Sequence, residues 1–187
     1  MSSSVPKPNF LIVGSGKCGT STLAALLKEH PDCCFGREKE IHYFSVEKNL
    51  ARGEAWYLDF FSHYRGESVI GEASPTYTVR PNLESAKHIH AFNPDMKIIY
   101  ITRHPYQKLL SEWKMDYVAN RFKARGGFET YVRHRVEIHQ VLYHCCFDYQ
   151  IDPYRNLFPQ ENILVLFLED WGKSPEDEAR KLCAFLA

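Results

Sequence analysis

A glycine-rich segment near the amino terminus has the composition of an anion-binding loop. Residues 14–22 read Gly-Ser-Gly-Lys-Cys-Gly-Thr-Ser-Thr, after the apolar run Phe10 to Val13 and before a helical pattern. Glycines let backbone N–H groups turn toward one anion, and the N-terminus of the helix adds partial positive charge. A lysine adds a full charge and three hydroxyls add donors. We therefore predict that the ligand is contacted by Ser15, Gly16, Lys17, Cys18, Gly19, Thr20, Ser21 and Thr22.

This loop differs from the magnesium-binding nucleoside-triphosphate motif. That motif has its lysine directly before the Ser or Thr whose hydroxyl holds the metal. Here Lys17 precedes the first hydroxyl residue, Thr20, by three positions, and the later apolar run from Lys97 to Thr102 contains no carboxylate. No His-Glu-x-x-His pattern occurs either. The sequence predicts a phosphate-bearing ligand that reacts without a metal.

A second candidate anion site follows the apolar run Met96 to Thr102. Arg103 comes directly after that run, and Ser111 lies eight residues later within a helical pattern opened by Pro105. An arginine offers a planar charged fork for a phosphate, and a serine adds a hydroxyl donor. Taken alone, the pair is weak evidence, because an arginine at a strand end more often forms a surface ion pair and a serine such as Ser111 is more often a solvated helix position.

Length and charge limit the classes of protein that the chain can represent. The 187 residues carry 23 Lys plus Arg and 23 Asp plus Glu, so the net charge is zero. We predict one domain over residues 1–187, with no general attraction for nucleic acid or an anionic membrane. No apolar run has the length of a membrane span, and the first residues lack the pattern of a secretory signal. These features favour the cytosol, where the six cysteines stay reduced.

Apolar runs alternate with helical patterns along the whole chain. We predict strands at Phe10 to Val13, Ser68 to Glu72, Met96 to Thr102 and Ile163 to Phe167. Predicted helices start at Thr20, near Leu83, at Pro105, at Phe128 (running to His144) and at Pro175. The helix that starts at Pro105 is predicted to have an apolar face of Leu109, Leu110, Trp113 and Tyr117. Nearly continuous apolar strands indicate an α/β fold with a parallel sheet and helices on both faces, which gives three layers. Its ligands bind at the carboxyl ends of the strands.

Several motifs, in this order, resemble the PAPS-dependent sulfotransferase family, which transfers sulfate from 3′-phosphoadenylyl sulfate. The resemblance is nearest to the heparan-sulfate-type and bacterial branches. It implies a fold like that of the P-loop nucleotide-binding proteins and covers nearly the whole chain. The segments that carry it are Phe10 to Thr22, Lys39 to Phe44, Gly71 to Tyr77, Tyr100 to Tyr117 and Asn162 to Trp171.

The resemblance implies a role for each candidate site residue. PAPS is the co-substrate, adenosine 3′,5′-bisphosphate (PAP) is the product, and no metal takes part. Lys17 stabilises the leaving phosphate, while Arg103 and Ser111 hold the 3′-phosphate. Glu40 matches the family's catalytic base, and His42, two residues later, is the rival base. Glu72 is interpreted either as orienting the site or as structural.

Other predictions remain open at this stage. The chain ends at Ala187 inside a helix, where relatives continue with a basic loop that closes over the 3′-phosphate and adenine. We expect a shortened or a minimal member, one that closes its site differently, for example by oligomerising. The alternatives are a catalytically impaired PAPS- or PAP-binding module and a small-molecule phosphotransferase. The acceptor is a small molecule or a glycan, with a candidate basic surface at Arg121, Lys123, Arg125, Arg133 and Arg135.

Overall fold

Five parallel strands form the sheet that carries the site. The computed structural model describes residues 5–79, 84–119, 127–137 and 140–187. The strands are β1 (Phe10–Gly14), β2 (Cys33–Phe35), β3 (Val69–Ala73), β4 (Lys97–Thr102) and β5 (Ile163–Phe167). Their order across the sheet is β2-β3-β1-β4-β5. Every pairing is parallel, which confirms the predicted sheet.

Helices cover both faces of the sheet. They are α1 (Thr20–Glu29), α2 (Glu47–Leu50), α3 (Glu54–Asp59), α4 (Ser85–Phe92), α5 (Pro105–Val118), α6 (Phe128–Glu137), α7 (Gln140–Cys145), α8 (Phe147–Arg155), α9 (Leu168–Lys173) and α10 (Pro175–Leu186). Short 3₁₀ turns occupy Pro75–Thr78 and Gln160–Asn162. In the described part of the chain no helix is long and apolar enough to cross a membrane.

Alternate residues of each strand enter two separate cores, because successive side chains of a strand point to opposite faces. Leu11 and Val13 of β1 join one core with residues of α3, α4 and α8. Phe10 and Ile12 join the other core with residues of α1 and α10. Burial on both faces explains why the strands read as continuous apolar runs, and it confirms the predicted three-layer α/β class.

The order of the strands fixes where a ligand can bind. The chain leaves β1 toward β2 on one side of the sheet, whereas β4 and β5 lie on the other side of β1. The loops that follow β1 and β4 therefore separate at their carboxyl ends and leave a crevice between them. Such a switch point is the usual ligand site of open parallel sheets.

Several elements were not predicted from the sequence, among them helices α2, α3, α8 and α9. Strand β2 was not predicted, since only three residues, Cys33–Phe35, form it. Helices α6 and α7 lie where one helix was predicted from Phe128 to His144, and residues 138–139 between them are outside the described part of the chain. Helix α5 begins at Pro105 as predicted. Its predicted apolar face is wrong at Tyr117, which is 64% exposed.

Candidate active site

A cavity of about 560 Å³ opens at the carboxyl ends of β1 and β4. The cavity is lined by the glycine-rich loop after β1, the first turn of α1, one face of α5 from Lys108 to Asp116, the segment after β2 and the turn after β3. Of the residues predicted for the site, the cavity wall includes Gly16, Lys17, Gly19, Thr20, Ser21, Thr22, Glu40, Arg103 and Ser111. Residues predicted from three separate stretches of the sequence thus share one wall.

Ser15 and Cys18 do not line this cavity. Both are buried, and the backbone N–H of Ser15 donates to Ile101 O at 2.7 Å, so this part of the loop is tied to the sheet. The Cys18 side chain packs in the core that contains Phe10 and Ile12. Burial raises the pKa of the Cys18 thiol to about 11, although the nearby Lys108 and Arg103 charges oppose the shift. The thiol is therefore protonated at neutral pH.

Gly19 lets the loop turn into helix α1. It caps the helix with φ 99°, a left-handed conformation that glycine adopts without steric cost. A Cβ atom at this position would lie 2.8 Å from Leu168 Cδ1. The turn directs the first N–H groups of α1, at Thr20 and Ser21, toward the cavity that both residues line.

The three residues predicted to act in catalysis have unusual backbone conformations. Lys17, Glu40 and His42 have φ values of 65°, 65° and 56°, and they are the non-glycine residues with positive φ in the described part of the chain. Such conformations are uncommon for residues with a side chain and cost on the order of 1–3 kcal/mol each. They cluster at functional sites, where the surrounding structure holds them in place.

Hydrogen bonds hold the Glu40 and His42 segment from two sides. Lys39 Nζ donates to Ser21 Oγ at 2.7 Å and to Glu40 Oε1 at 2.8 Å, which links the base candidate to the anion loop. His42 Nδ1 lies 2.8 Å from Thr76 Oγ1, and His42 Nε2 lies 3.9 Å from Glu40 Oε2. The His42 side chain does not line the cavity, whereas Glu40 does.

Arg103 connects the second candidate anion site to the first. Arg103 and Ser111 line the same cavity as the loop. Arg103 Nη1 lies 3.5 Å from the carbonyl oxygen of Lys17, at the long limit of a hydrogen bond. An anion with two phosphate groups can therefore meet the loop and the arginine at once, which favours the phosphate-site interpretation of Arg103 over a plain surface ion pair.

Helix α5 turns a charged face toward the loop, and sequence reasoning missed it. Lys108, Glu112 and Asp116 are all buried. Lys108 Nζ donates to Gly16 O at 2.8 Å and lies 3.1 Å from Glu112 Oε1. Tyr131 donates its hydroxyl to Asp116 Oδ2 at 3.0 Å. Their spacing of four residues was the available signal, since it puts three charges on one helical face.

Glu72 is buried next to the site and does not line the cavity. Its carboxylate is fully buried and accepts hydrogen bonds from Ser74 Oγ at 2.8 Å and Tyr77 OH at 2.6 Å. Ser74 Oγ in turn accepts the backbone N–H of His42 at 3.0 Å. Burial raises the pKa of Glu72 to about 7, against the effect of the two hydroxyl donors. These contacts match the structural interpretation of this residue.

The candidate basic surface is described only in part by the structure. Arg121, Lys123 and Arg125 lie outside the described residues, and Arg133 pairs with Glu129 across one turn of α6 at 3.0 Å. Among residues 5–79, 84–119, 127–137 and 140–187, no group of three His, Cys, Asp or Glu side chains has the arrangement of a metal site.

The fold and the cavity together define an α/β protein with a candidate anion-binding cavity at the switch point of a parallel sheet. The family can then be assigned from sequence. The chain belongs to the family described as "Sulfotransferase domain", whose model matches residues 7–187.

Known proteins support the assignment at two levels. The crystal structure of a sulfotransferase from Alicyclobacillus acidocaldarius is similar with a TM-score of 0.83 and 29% identity, over 97% of this chain and 81% of that one. The sulfotransferase domain of the curacin biosynthetic pathway has a TM-score of 0.59 at 16% identity, over 98% of this chain and 75% of that one, and shows the fold alone.

Curated relatives match part of the chain. Human heparan sulfate glucosamine 3-O-sulfotransferase 6 is 35% identical over 57% of this chain and 30% of its own length. Membrane-associated sulfotransferase kil1 of Dictyostelium discoideum is 34% identical over 57% of this chain and 22% of its own length. Mouse carbohydrate sulfotransferase 15 is 27% identical over 88% of this chain and 38% of its own length. The chain thus spans well under half of these relatives.

Proposed function

We propose that the protein transfers a sulfuryl group from 3′-phosphoadenylyl sulfate to a hydroxyl or amine of an acceptor, without a metal. The observation that carries the proposal is the convergence of Lys17, Glu40, Arg103 and Ser111 on one cavity. Membership of the sulfotransferase family supports the reaction type. The donor, the order of events and the acceptor are inferences from the chemistry of these side chains.

The loop and α5 bind opposite ends of the donor. The N–H groups at the start of α1, with the hydroxyls of Thr20, Ser21 and Thr22, bind the 5′-phosphosulfate. Arg103 and Ser111 bind the 3′-phosphate, which distinguishes PAPS from ATP-like nucleotides and fixes its orientation. The 3.5 Å approach of Arg103 Nη1 to Lys17 O supports a shared wall for the two anionic groups.

The transfer is an in-line displacement at sulfur. The acceptor oxygen or nitrogen forms a bond to sulfur while the bond from sulfur to the bridging phosphate oxygen breaks. The bonding electrons go to that oxygen, which leaves as part of PAP. Lys17 stabilises the developing charge there or donates a proton to it. Lys17 Nζ lies 3.6 Å from Met115 Sδ, and among residues 5–79, 84–119, 127–137 and 140–187 it forms no ion pair that must first be displaced.

Glu40 takes the acceptor proton. Its carboxylate lines the cavity, and Lys39 holds one of its oxygens at 2.8 Å. His42 lies outside the cavity wall and has Thr76 on Nδ1. We therefore infer that Glu40 is the base and that His42 orients it from 3.9 Å.

A sugar hydroxyl is the first acceptor to test. Two relatives carry carbohydrate substrates in their names, heparan sulfate glucosamine in one and carbohydrate in the other. The cavity mouth near Glu40 also carries Lys39 and Thr76, which can donate hydrogen bonds to hydroxyl and sulfate oxygens.

Calorimetric titration of PAP in EDTA tests the donor site directly. Wild-type protein should bind PAP and prefer it to ADP, and Arg103→Ala should weaken PAP about 10- to 100-fold, because it removes a charge-assisted pair of hydrogen bonds. Arg180→Ala, an exposed arginine on α10, is the matched control and should bind like wild type. Absence of PAP binding, or binding of ADP only with magnesium, would overturn the proposal and favour a phosphotransferase.

A further inference from the structure

Lys108 is a buried lysine that connects helix α5 to the anion loop. Its side chain is 3% exposed, and its ammonium donates to the carbonyl oxygen of Gly16 at 2.8 Å. The bond joins helix α5 to the residue before Lys17. Burying an ammonium group is costly unless it is paired and hydrogen-bonded, so this position has a defined partner set.

Glu112 and His144 complete that partner set. Glu112 Oε1 lies 3.1 Å from Lys108 Nζ and 3.3 Å from His144 Nδ1. Burial alone would raise the pKa of Glu112, but the hydrogen bond from His144 and the Lys108 charge hold it below its ordinary value. The pair is therefore ionic at neutral pH. It fixes Lys108 Nζ between α5 and the loop.

The contact with Gly16 has a consequence for the loop geometry. A trans peptide has its C=O and N–H on opposite sides, so a carbonyl held by Lys108 also fixes the direction of the Lys17 N–H. Lys17 has φ 65°, a conformation that must be maintained by its surroundings. Lys108 on the Gly16 carbonyl and Arg103 on the Lys17 carbonyl hold the peptide groups on both sides of this residue.

We propose that Lys108 is a positioning residue that shapes the loop for the 5′-phosphosulfate end of the donor, acting through the Gly16 carbonyl. Ser111, one turn along the same helix, serves the 3′-phosphate. One helix thus sets both ends of the donor site by separate side chains. The inference rests on the proposed function, since it assumes a nucleotide with phosphates at both positions.

Titrations with three nucleotides test the two ends of the site separately. PAP, adenosine 5′-phosphate and adenosine 3′-phosphate are titrated into wild type, Lys108→Met and Ser111→Ala. Lys108→Met should weaken both 5′-phosphorylated ligands about 10- to 100-fold, the range for losing a hydrogen bond to a charged group, and change adenosine 3′-phosphate less than about threefold. Ser111→Ala should weaken the 3′-phosphorylated ligands and spare adenosine 5′-phosphate.

Two controls keep the test specific. Lys114→Met changes an exposed lysine of the same helix and should match wild type for all three ligands. Lys108→Arg keeps the charge and the reach to Gly16, so it should restore most of the affinity. If Lys108→Met does not fold, Glu112→Gln carries the same test, because it removes the charge that holds the lysine.

The outcomes distinguish the two proposals. A wild-type protein that binds no PAP overturns the proposed function and this inference with it. A wild-type protein that binds PAP, with a Lys108→Met variant that weakens all three ligands equally or none of them, overturns the inference alone. Selective loss of the 5′-phosphorylated ligands supports it.

Discussion

At the scale of single residues, the site uses side chains that hold other side chains. Lys39 joins Ser21 of the loop to Glu40, and Thr76 holds His42. The positive φ values of Glu40 and His42 show that the backbone accepts strain to present these groups. Such a network maintains geometry within the tolerance that a proton transfer requires.

Replacing Glu40 should separate chemistry from binding. Glu40→Gln keeps the shape and the contact with Lys39 but cannot accept a proton, so kcat should fall about 10²- to 10⁴-fold. The affinity for PAP, measured by calorimetry, should stay within about threefold, because the carboxylate acts on the acceptor. Glu38→Gln, an exposed neighbour, is the control. Unchanged kcat in Glu40→Gln would assign the base to another group, with His42→Gln as the next variant.

At the scale of elements, the segment after β2 and the 3₁₀ turn Pro75–Thr78 form one unit around Glu72. The Glu72 carboxylate binds Ser74 and Tyr77, Ser74 binds the His42 N–H, and Tyr154 of α8 donates to Tyr77 O at 2.9 Å. The fully buried carboxyl of Glu72, at the end of β3, is thus linked by hydrogen bonds to the segment that carries Glu40 and His42. Breaking this network should lower the free energy of unfolding more than it lowers the rate of the reaction.

The raised pKa of Glu72 predicts a pH dependence of stability with a definite sign. Its pKa is about 7 in the folded protein and 4.5 as a free side chain. Between these values the folded protein keeps a proton that the unfolded chain releases, so the free energy of unfolding falls as pH rises. The loss is on the order of 3 kcal/mol across this window, at about 1.4 kcal/mol per pH unit.

Glu72→Gln isolates this contribution. Urea unfolding at several pH values gives the free energy of unfolding of the variant minus that of wild type. This difference should become more favourable to the variant by about 3 kcal/mol between pH 4.5 and pH 7, and then level off. Glu67→Gln, an exposed carboxylate whose pKa is lowered by hydrogen bonds from the backbone, is the contrasting control. A difference that does not change with pH would contradict the raised pKa.

Residue types predicted the loop and Arg103, but not the supports behind them. Glycines, a lysine and hydroxyls in one continuous stretch identify an anion loop because their chemistry is local. Lys108, Glu112 and His144 come together through two helices and a loop, and each alone reads as a surface charge. The apolar face predicted for α5 was partly wrong for the same reason: besides Leu109, the helix buries the charged residues Lys108, Glu112 and Asp116.

At the scale of the whole molecule, the two cores cover the two faces of the sheet, and the site lies at the carboxyl ends of its strands. Alternating burial in β1 and β4 was predictable, because continuous apolar runs require cover on both faces. Strand β2 was not, since three residues give too short a pattern. Helix α10 ends at the amino end of β4, where Lys97 Nζ donates to Leu186 O at 2.9 Å. The cavity lies at the opposite ends of these strands.

Because α10 ends at the amino end of β4 and the cavity lies at the opposite ends of the strands, a substitution in α10 should lower stability without changing PAP affinity. Leu182 of α10 is fully buried among Leu23, Leu27 and Leu186, so Leu182→Ala should cost about 2–5 kcal/mol. For a chain of this size that corresponds to a Tm lower by about 5–15 °C, measured by calorimetry. Leu26→Ala makes the same chemical change at a position that is 41% exposed and should cost much less.

The affinity of Leu182→Ala for PAP tests whether the cavity at the carboxyl ends of the strands is independent of packing against α10. At a temperature well below the Tm of Leu182→Ala, the variant should bind PAP within about twofold of wild type, because ΔΔG values of distant sites add. Weaker binding at that temperature, with the variant still folded by circular dichroism, would show that α10 positions the cavity through the sheet. The switch-point site would then depend on packing at both ends of its strands, and the buried core facing α1 and α10 would be part of the donor-binding machinery.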